Sequence, residues 1–228
     1  MLPTRVPETN CPTLTRDHVE AYDRMQRRLR ENGWLNTSDI LESGITRGTV
    51  LEVGSGPGYL GLEWLQRTAD TCLVGLDMNP EMIDLACKHA EELGLGDRAR
   101  YVLGFAEAMP FNTASFDALF SSNSLHEWLD PSAILAEFLR VLKPGGRLYL
   151  SDLRRDLPRS ARNFLQKQML SDSVRESLVA SINAAYNTVE ATDLLRRTAF
   201  AGCGVTETAL GLRITGFKPF HKQRGGRR

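Results

Sequence analysis

The stretch Val50-Leu51-Glu52-Val53-Gly54-Ser55-Gly56-Pro57-Gly58-Tyr59-Leu60-Gly61 decides the fold. The apolar run from Thr49 to Val53 predicts a strand, and the residues from Leu60 to Gln66 predict a helix. The glycines between them permit positive φ and leave no side chain between the backbone and a ligand. A strand, a glycine loop and a helix in this order are typical of α/β sheets that bind nucleotides.

The spacing of the loop glycines indicates which class of nucleotide or nucleoside the loop can bind. The dinucleotide pattern G-x-G-x-x-G would need a glycine at position 59, where this chain has Tyr59. Pro57 also removes one of the amide donors that a pyrophosphate would use. Both features favour a ligand without phosphate and count against an NAD oxidoreductase.

An acidic residue follows the second predicted strand, which runs from Cys72 to Leu76. Asp77 lies nineteen residues after Gly58, and an acid at this position can accept hydrogen bonds from both hydroxyls of a ribose. Asp77 could instead cap the helix that begins near Pro80, but Asn79 could fill that role equally well.

Strands and helices alternate through the rest of the core, which predicts a parallel sheet covered on both faces. Three further strands are predicted at Tyr101–Leu103, Phe116–Phe120 and Arg147–Leu150, and helices at Pro80–Leu93 and Pro131–Leu142. Two last strands, Val205–Ala209 and Arg213–Phe217, predict a closing antiparallel hairpin.

Four sequence motifs identify a family. The segments VLEVGSGPG, GLDMNPEMI, GFAEAMPFNTASFDALFSSNSLHEW and FLRVLKPGGRLYLSD fall within about residues 49–152. With them the chain resembles the class I S-adenosylmethionine-dependent methyltransferases, particularly the small-molecule branch that includes the ubiquinone and menaquinone methyltransferases. The resemblance implies an α/β fold: a Rossmann-like, doubly wound seven-stranded sheet of order 3-2-1-4-5-7-6 with strand 7 antiparallel.

The chain length favours one domain over residues 1–228. It would comprise a helical cap (1–48), a cofactor-binding core (49–152), a helical lid insertion (153–188), a C-terminal helix and hairpin (189–217) and a basic tail (218–228). A basic terminus of this kind is expected to be frayed and solvated.

S-adenosyl-L-methionine is the implied cofactor and S-adenosyl-L-homocysteine the implied product. The residues assigned to the cofactor are Glu52, Gly54, Ser55, Gly56, Gly58, Asp77, Met78, Phe105, Ala106, Glu107 and Asn123. Among them, the glycine loop would hold the amino-acid part and Met78 would flank the adenine. The family commonly has an aspartate where this chain has Phe105, so the adenine contact would pass to Phe105, Ala106 or Glu107.

The acceptor side begins after the fourth strand, at Ser121–Trp128. His126 is either a general base or substrate ligand or a structural histidine that bonds a loop. Trp128 is predicted to lie in the core. Candidate substrate-binding residues are Tyr22, Asp152, Arg154, Asn183 and Tyr186. The charged run at 152–156 reads either as a solvated face or as a pocket rim.

The composition of the chain indicates which classes of partner it disfavours. The 228 residues carry 28 Lys+Arg and 28 Asp+Glu, and this zero net charge disfavours nucleic acid as a partner. Four scattered cysteines predict no metal site and suit a reducing compartment. No apolar run is long enough to span a membrane, and no secretory h-region opens the chain, so a cytoplasmic location is expected.

The expected activity is in-line methyl transfer to a small organic acceptor. One alternative is a methyltransferase for protein or RNA that uses the basic tail. Another is a non-catalytic cofactor-binding module, which the substitution at Phe105 keeps open. The sequence leaves the oligomeric state open, with a homodimer as one option.

Overall fold

The computed structural model describes residues 4–8, 16–169 and 172–220, so most of the predicted tail, 221–228, lies outside the described residues. Seven strands form one sheet within the described residues: β1 (Gly48–Val53), β2 (Thr71–Asp77), β3 (Ala99–Leu103), β4 (Phe116–Ser122), β5 (Leu142–Asp152), β6 (Gly204–Glu207) and β7 (Leu212–Phe217). The same residues contain α1 (Arg16–Glu31), α2 (Thr37–Glu42), α3 (Tyr59–Gln66), α4 (Pro80–Glu92), α5 (Pro131–Val141), α6 (Arg159–Gln168), α7 (Asp172–Ala184) and α8 (Thr188–Arg196). A 3-10 turn covers Leu125–Glu127.

The sheet has the predicted topology. Its strand order is β3-β2-β1-β4-β5-β7-β6. Neighbours among β1 to β5 are parallel, and β7 runs antiparallel to both β5 and β6. The strand order reverses between β1 and β4. Ligands of such sheets bind beyond the carboxyl ends of the strands at this switch point.

Element boundaries differ from the predicted ones in a few places. The helical lid insertion predicted over 153–188 contains two separate helices, α6 and α7. Strand β5 begins at Leu142 rather than Arg147, because Leu142 pairs with Phe116 ahead of the Pro-Gly-Gly turn. The closing hairpin is shifted by one residue at its start, and its first strand ends two residues early.

Both faces of the sheet are buried, which explains the continuous apolar runs in its strands. Alternate residues enter different clusters: Val50 and Leu73 pack on one side, and Leu51 and Val74 on the other. Trp64 of α3 is fully buried, and its indole N–H donates to the carbonyl of Ile45 at 2.8 Å. None of the described helices has the length and apolar character needed to cross a membrane.

Tyr101 on β3 determines how the glycine loop packs. Its ring fills the space that two glycines leave: a Cβ at Gly75 would collide with the ring, and one at Gly58 would lie 2.6 Å from its hydroxyl. Because Gly75 of β2 and Gly58 of the loop both lack a side chain, the Tyr101 ring can pack directly against the backbone of each.

The N-terminal helix α1 is held against the same glycine loop by side-chain contacts. Arg27 of α1 donates to the Tyr59 hydroxyl at 3.1 Å, and Tyr59 Oη lies 3.3 Å from His89 Nε2. His89 Nδ1 in turn lies 2.8 Å from the carbonyl oxygen of Pro57, which can only accept. This chain of contacts joins α1, α3 and α4 at the loop.

Candidate cofactor and acceptor site

The glycine loop turns back over the end of β2. The amides of Gly54 and Ser55 donate to the carbonyl of Leu76 at 2.8 and 3.1 Å. The loop needs left-handed backbone at three positions, with φ of 71° at Gly54, 51° at Gly56 and 84° at Gly58. A side chain at Gly54 would also collide with Ser124 Oγ, so the loop lies directly against the acceptor-side segment.

Asp77, the last residue of β2, is hydrogen-bonded to this loop and is not the cap of α4. Its Oδ2 accepts from the Gly56 amide at 2.8 Å, and its Oδ1 accepts from the Asn79 amide at 2.9 Å. Asn79 Oδ1 caps α4 by accepting from Glu81 and Met82 at 2.8 and 3.4 Å. Burial raises the pKa of Asp77, against the lowering effect of its backbone hydrogen bonds. A carboxylate has further lone pairs, so Asp77 can still accept from a ligand.

Glu52 places a second carboxyl group beneath the loop. The residue is 3% exposed, and its Oε2 lies against the Gly61 backbone of α3, with no side-chain hydrogen-bond partner among the described residues. Burial raises its pKa well above the usual range. Glu52 lines a cavity together with Gly54, Ser55 and Tyr22. Since a buried carboxyl without a side-chain partner is costly, the cavity suits a ligand that brings a donor or a positive charge.

An exposed apolar edge adjoins Asp77. Leu103 pairs with Asp77 in the sheet register, and the Gly104 amide donates to the Asp77 carbonyl at 2.9 Å. Met78, Leu103 and Phe105 are 56%, 53% and 59% exposed. Large apolar side chains grouped this way offer a surface for a flat ring. Of the other residues predicted here, Ala106 is half-buried and Glu107 is exposed.

A polar cluster lies at the carboxyl ends of β4 and β5. The Asn36 amide donates to Ser122 Oγ at 3.1 Å and to Ser151 Oγ at 2.9 Å, and the two hydroxyls lie 3.0 Å apart. Asn123 follows with φ of 54°, and it lines the same cavity as Glu52. Asn36, Ser122 and Asn123 therefore present polar groups towards the cavity, and Ser151 of β5 holds the first two in place.

His126 and Asp152 form a buried pair. His126 is 3% exposed, and its Nδ1 lies 2.7 Å from Asp152 Oδ1. Asp152 Oδ2 accepts from the His126 amide, also at 2.7 Å. Burial alone would lower the pKa of His126, but the charge and hydrogen bond of Asp152, with Glu127 and Glu8 nearby, raise it to about 9. At neutral pH the ring is therefore an imidazolium, with Nε2 as its second donor.

The charged run after β5 is not a solvated face, and that interpretation is wrong. Arg154 and Arg155 are buried. Arg154 forms ion pairs with Asp156, at 2.9 Å, and with Glu207 on β6. Arg155 donates to the Ala185 carbonyl at 2.6 Å. The guanidinium of Arg154, a predicted acceptor ligand, is thus occupied by carboxylates at the far edge of the sheet.

The remaining predicted acceptor residues lie in two places. Tyr22 packs on the glycine loop, 3.5 Å from where a Cβ of Gly56 would be, and Gln26 donates to its hydroxyl at 2.9 Å. Asn183 and Tyr186 lie at the end of α7 against the segment 4–8: the Val6 amide donates to the Asn183 carbonyl at 3.2 Å. Trp128 is in the core, as predicted.

Several site residues were not predicted. Asn36 and the N-terminal residues Arg5 and Glu8 carry no recognisable motif, and the lead-in reads as irregular. The rings of Trp34 and of Phe164 on α6 are tilted against each other with centroids 5.6 Å apart, and both residues are exposed. The aromatic residue Trp34, directly after Gly33, is the sequence signal that could have indicated this part of the site.

Known proteins share this sheet and loop. Residues 51–150 match a family model described as a methyltransferase domain. The uncharacterised methyltransferase YdaC of Bacillus subtilis is 34% identical over 146 residues, which cover 62% of this chain and 78% of YdaC. Demethylmenaquinone methyltransferase of Deinococcus radiodurans is 34% identical over 132 residues; the match covers 57% of this chain and about half, 54%, of that protein.

A solved structure shows the same fold over most of the chain. The plantazolicin methyltransferase BpumL in complex with S-adenosylhomocysteine superposes with a TM-score of 0.72 at 14% identity, covering 90% of this chain and 91% of that one. The chain belongs to the class I S-adenosylmethionine-dependent methyltransferases. S-adenosylmethionine is the cofactor of this family, and the loop, Glu52 and Asp77 fit that cation.

The raised pKa of His126 makes stability depend on pH. Because its folded-state pKa of about 9 lies above the ordinary value of about 6.5, the protonated ring stabilises the fold fully below pH ~6.5, and this is lost as pH rises through ~9. We expect a loss of about 3 kcal/mol in unfolding free energy, measured by urea denaturation. The variant His126→Gln should not show this loss. An imidazole that titrates at or below its ordinary pKa in NMR spectra would contradict the assignment.

Proposed function

We propose that this protein transfers the methyl group of S-adenosylmethionine to a small organic acceptor by in-line displacement. The proposal rests on a contact between the cofactor loop and the acceptor segment. The loop that ends β1 and the acceptor segment that follows β4 touch each other, at Gly54 and Ser124. A cofactor on the loop and an acceptor beside His126 would therefore share one edge of the sheet.

The cofactor's charge matches the carboxylates beneath the loop. When bound, S-adenosylmethionine supplies a methyl group on a sulfonium, which leaves as a neutral thioether. Glu52 lines the cavity, where it would ionise and accept from the ammonium of the amino-acid part. Asp77 would accept from the ribose hydroxyls while it continues to hold the Gly56 amide.

The adenine would lie on the exposed apolar edge. Met78 and Phe105 offer contact area there, and covering them removes apolar surface from water. Phe105 therefore replaces a hydrogen-bonding aspartate with a packing surface, which supports a retained cofactor site rather than a lost one. Ala106 and Glu107 follow it closely enough to supply polar contacts.

The chain's part in the reaction is alignment and exclusion of water. A sulfonium is already activated, so the acceptor atom needs to lie in line with the methyl group. His126 would act as a substrate ligand through Nε2–H, since an imidazolium cannot accept a proton. Tyr22 would cover the amino-acid part of the cofactor from α1.

Burial of the acceptor side supports a small acceptor. His126 is enclosed by α7 and the segment 4–8, and such a site does not admit a folded protein or an RNA helix without rearrangement. Asn183 and Tyr186 would line the acceptor's path beneath this cover. We place the activity in the cytoplasm, where the free thiols of Cys72, Cys87 and Cys203 stay reduced.

Asp77 and Asn79 provide a matched pair for testing the cofactor site. Asp77→Ala should weaken S-adenosylhomocysteine binding by about 1.5–3 kcal/mol, because a charged hydrogen-bond acceptor is lost. Asn79→Ala removes the cap of α4 and should lower the unfolding free energy by about 1 kcal/mol, with cofactor affinity unchanged. Calorimetric titration and urea denaturation of both variants separate the two effects. Equal cofactor affinity in Asp77→Ala and the wild type would refute the ribose contact.

The size class of the acceptor can be tested directly. A cell extract incubated with the protein and methyl-labelled S-adenosylmethionine should yield label in the fraction below about 1 kDa, since only small molecules reach a buried His126. Extract without the protein is the control. Label that stays with protein or RNA after filtration would instead support the macromolecular alternative.

A further inference from the structure

The N-terminal segment 4–8 lies across the acceptor side and is held there by Arg5. The Arg5 guanidinium donates to the carbonyl of Ala184 at 2.6 Å and to that of His126 at 3.2 Å. It also stacks over the Tyr186 ring, 4.2 Å from the centroid. Arg5 therefore joins the end of α7 to the acceptor segment, and it brings Glu8 to the same place.

Glu8 faces the only free donor of the buried imidazolium. Its Oε2 lies 3.8 Å from His126 Nε2, and Ser181 Oγ lies 3.4 Å from the same oxygen. The second carboxylate within 4.0 Å of Nε2 among the described residues is that of Glu127, also at 3.8 Å. Asp152 occupies the other nitrogen at 2.7 Å.

These distances indicate that Asp152 is a permanent partner of His126 and that Glu8 is a partner which a ligand can replace. At 2.7 Å, the Asp152 contact is a full hydrogen bond, whereas 3.8 Å is beyond hydrogen-bond distance. Glu8 therefore neutralises charge near Nε2 without satisfying the donor. The Glu8 side chain is only 17% exposed. The Glu8 carboxylate and the Nε2 donor of His126 are therefore both largely shielded from water, yet they do not form a hydrogen bond with each other. A ligand oxygen placed closer to Nε2 would complete the hydrogen bond.

Building on the proposed function, we propose that Glu8 occupies the subsite for a carboxylate group of the acceptor. The substrate class is then a small organic carboxylate, whose oxygen binds His126 Nε2 and Ser181 Oγ once Glu8 has withdrawn. Arg5 remains on Ala184 and Tyr186 and adds positive charge beside the bound anion. Glu8 thus makes the resting subsite accessible only to a ligand that carries a competing negative charge.

The test compares charged and neutral probes in the full-length protein saturated with S-adenosylhomocysteine. The probes are benzoate and phenylacetate, each paired with its neutral amide, and binding is measured by calorimetry. If Glu8 fills the subsite in about nine molecules of ten, Glu8→Gln should raise carboxylate affinity about tenfold and leave amide affinity unchanged. Glu20→Gln, at an exposed carboxylate of α1 that pairs with Arg16 and Arg24, is the control and should match the wild type.

A second variant makes the donor assignment testable. In the Glu8→Gln background, His126→Gln should abolish the gained carboxylate affinity, while thermal melting and S-adenosylhomocysteine affinity report an intact fold. An equal gain for the amides, or no gain for either carboxylate, would overturn the subsite. Absence of S-adenosylhomocysteine binding in the wild type would instead overturn the proposed function, so the two failures are distinguishable.

Discussion

The hydrogen bonds that hold the glycine loop to the end of β2 position everything else in the site. Gly54 and Ser55 donate to the Leu76 carbonyl, and Gly56 donates to Asp77. They require left-handed backbone and leave no room for a Cβ at Gly54. Because the loop is held this close, the buried carboxyl of Glu52 and the acceptor segment after β4 meet at a single edge of the sheet.

The electrostatics of that edge divide it into two halves. On the cofactor side, Glu52 and Asp77 are carboxyls whose pKa burial raises, and a cationic ligand relieves both. On the acceptor side, the charge of Asp152 makes His126 a cation, so its free nitrogen attracts a negative group. The two halves therefore favour ligands of opposite charge, which suits transfer from a sulfonium to an electron-rich acceptor.

Much of the fold and of the cofactor half could be predicted, because their signals are local. Glycine spacing, the acid after β2 and the alternation of strands and helices are properties of short segments. The acceptor half depends on contacts between distant parts of the chain. The lead-in containing Glu8 has no periodicity, yet it lies 3.8 Å from His126 Nε2, 118 positions later. Arg154 was misread because nothing in a charged run shows that Asp156 and Glu207 will bury it.

The glycine loop should bind a cationic nucleoside that carries no phosphate. Calorimetric titration of the wild-type protein with S-adenosylmethionine, S-adenosylhomocysteine and NAD tests this most directly. The account predicts micromolar binding of the two sulfur nucleosides and no binding of NAD, since Pro57 removes a phosphate donor and Tyr59 stands where a dinucleotide loop needs glycine. Binding of NAD with comparable affinity, or failure of both sulfur nucleosides to bind, would contradict it.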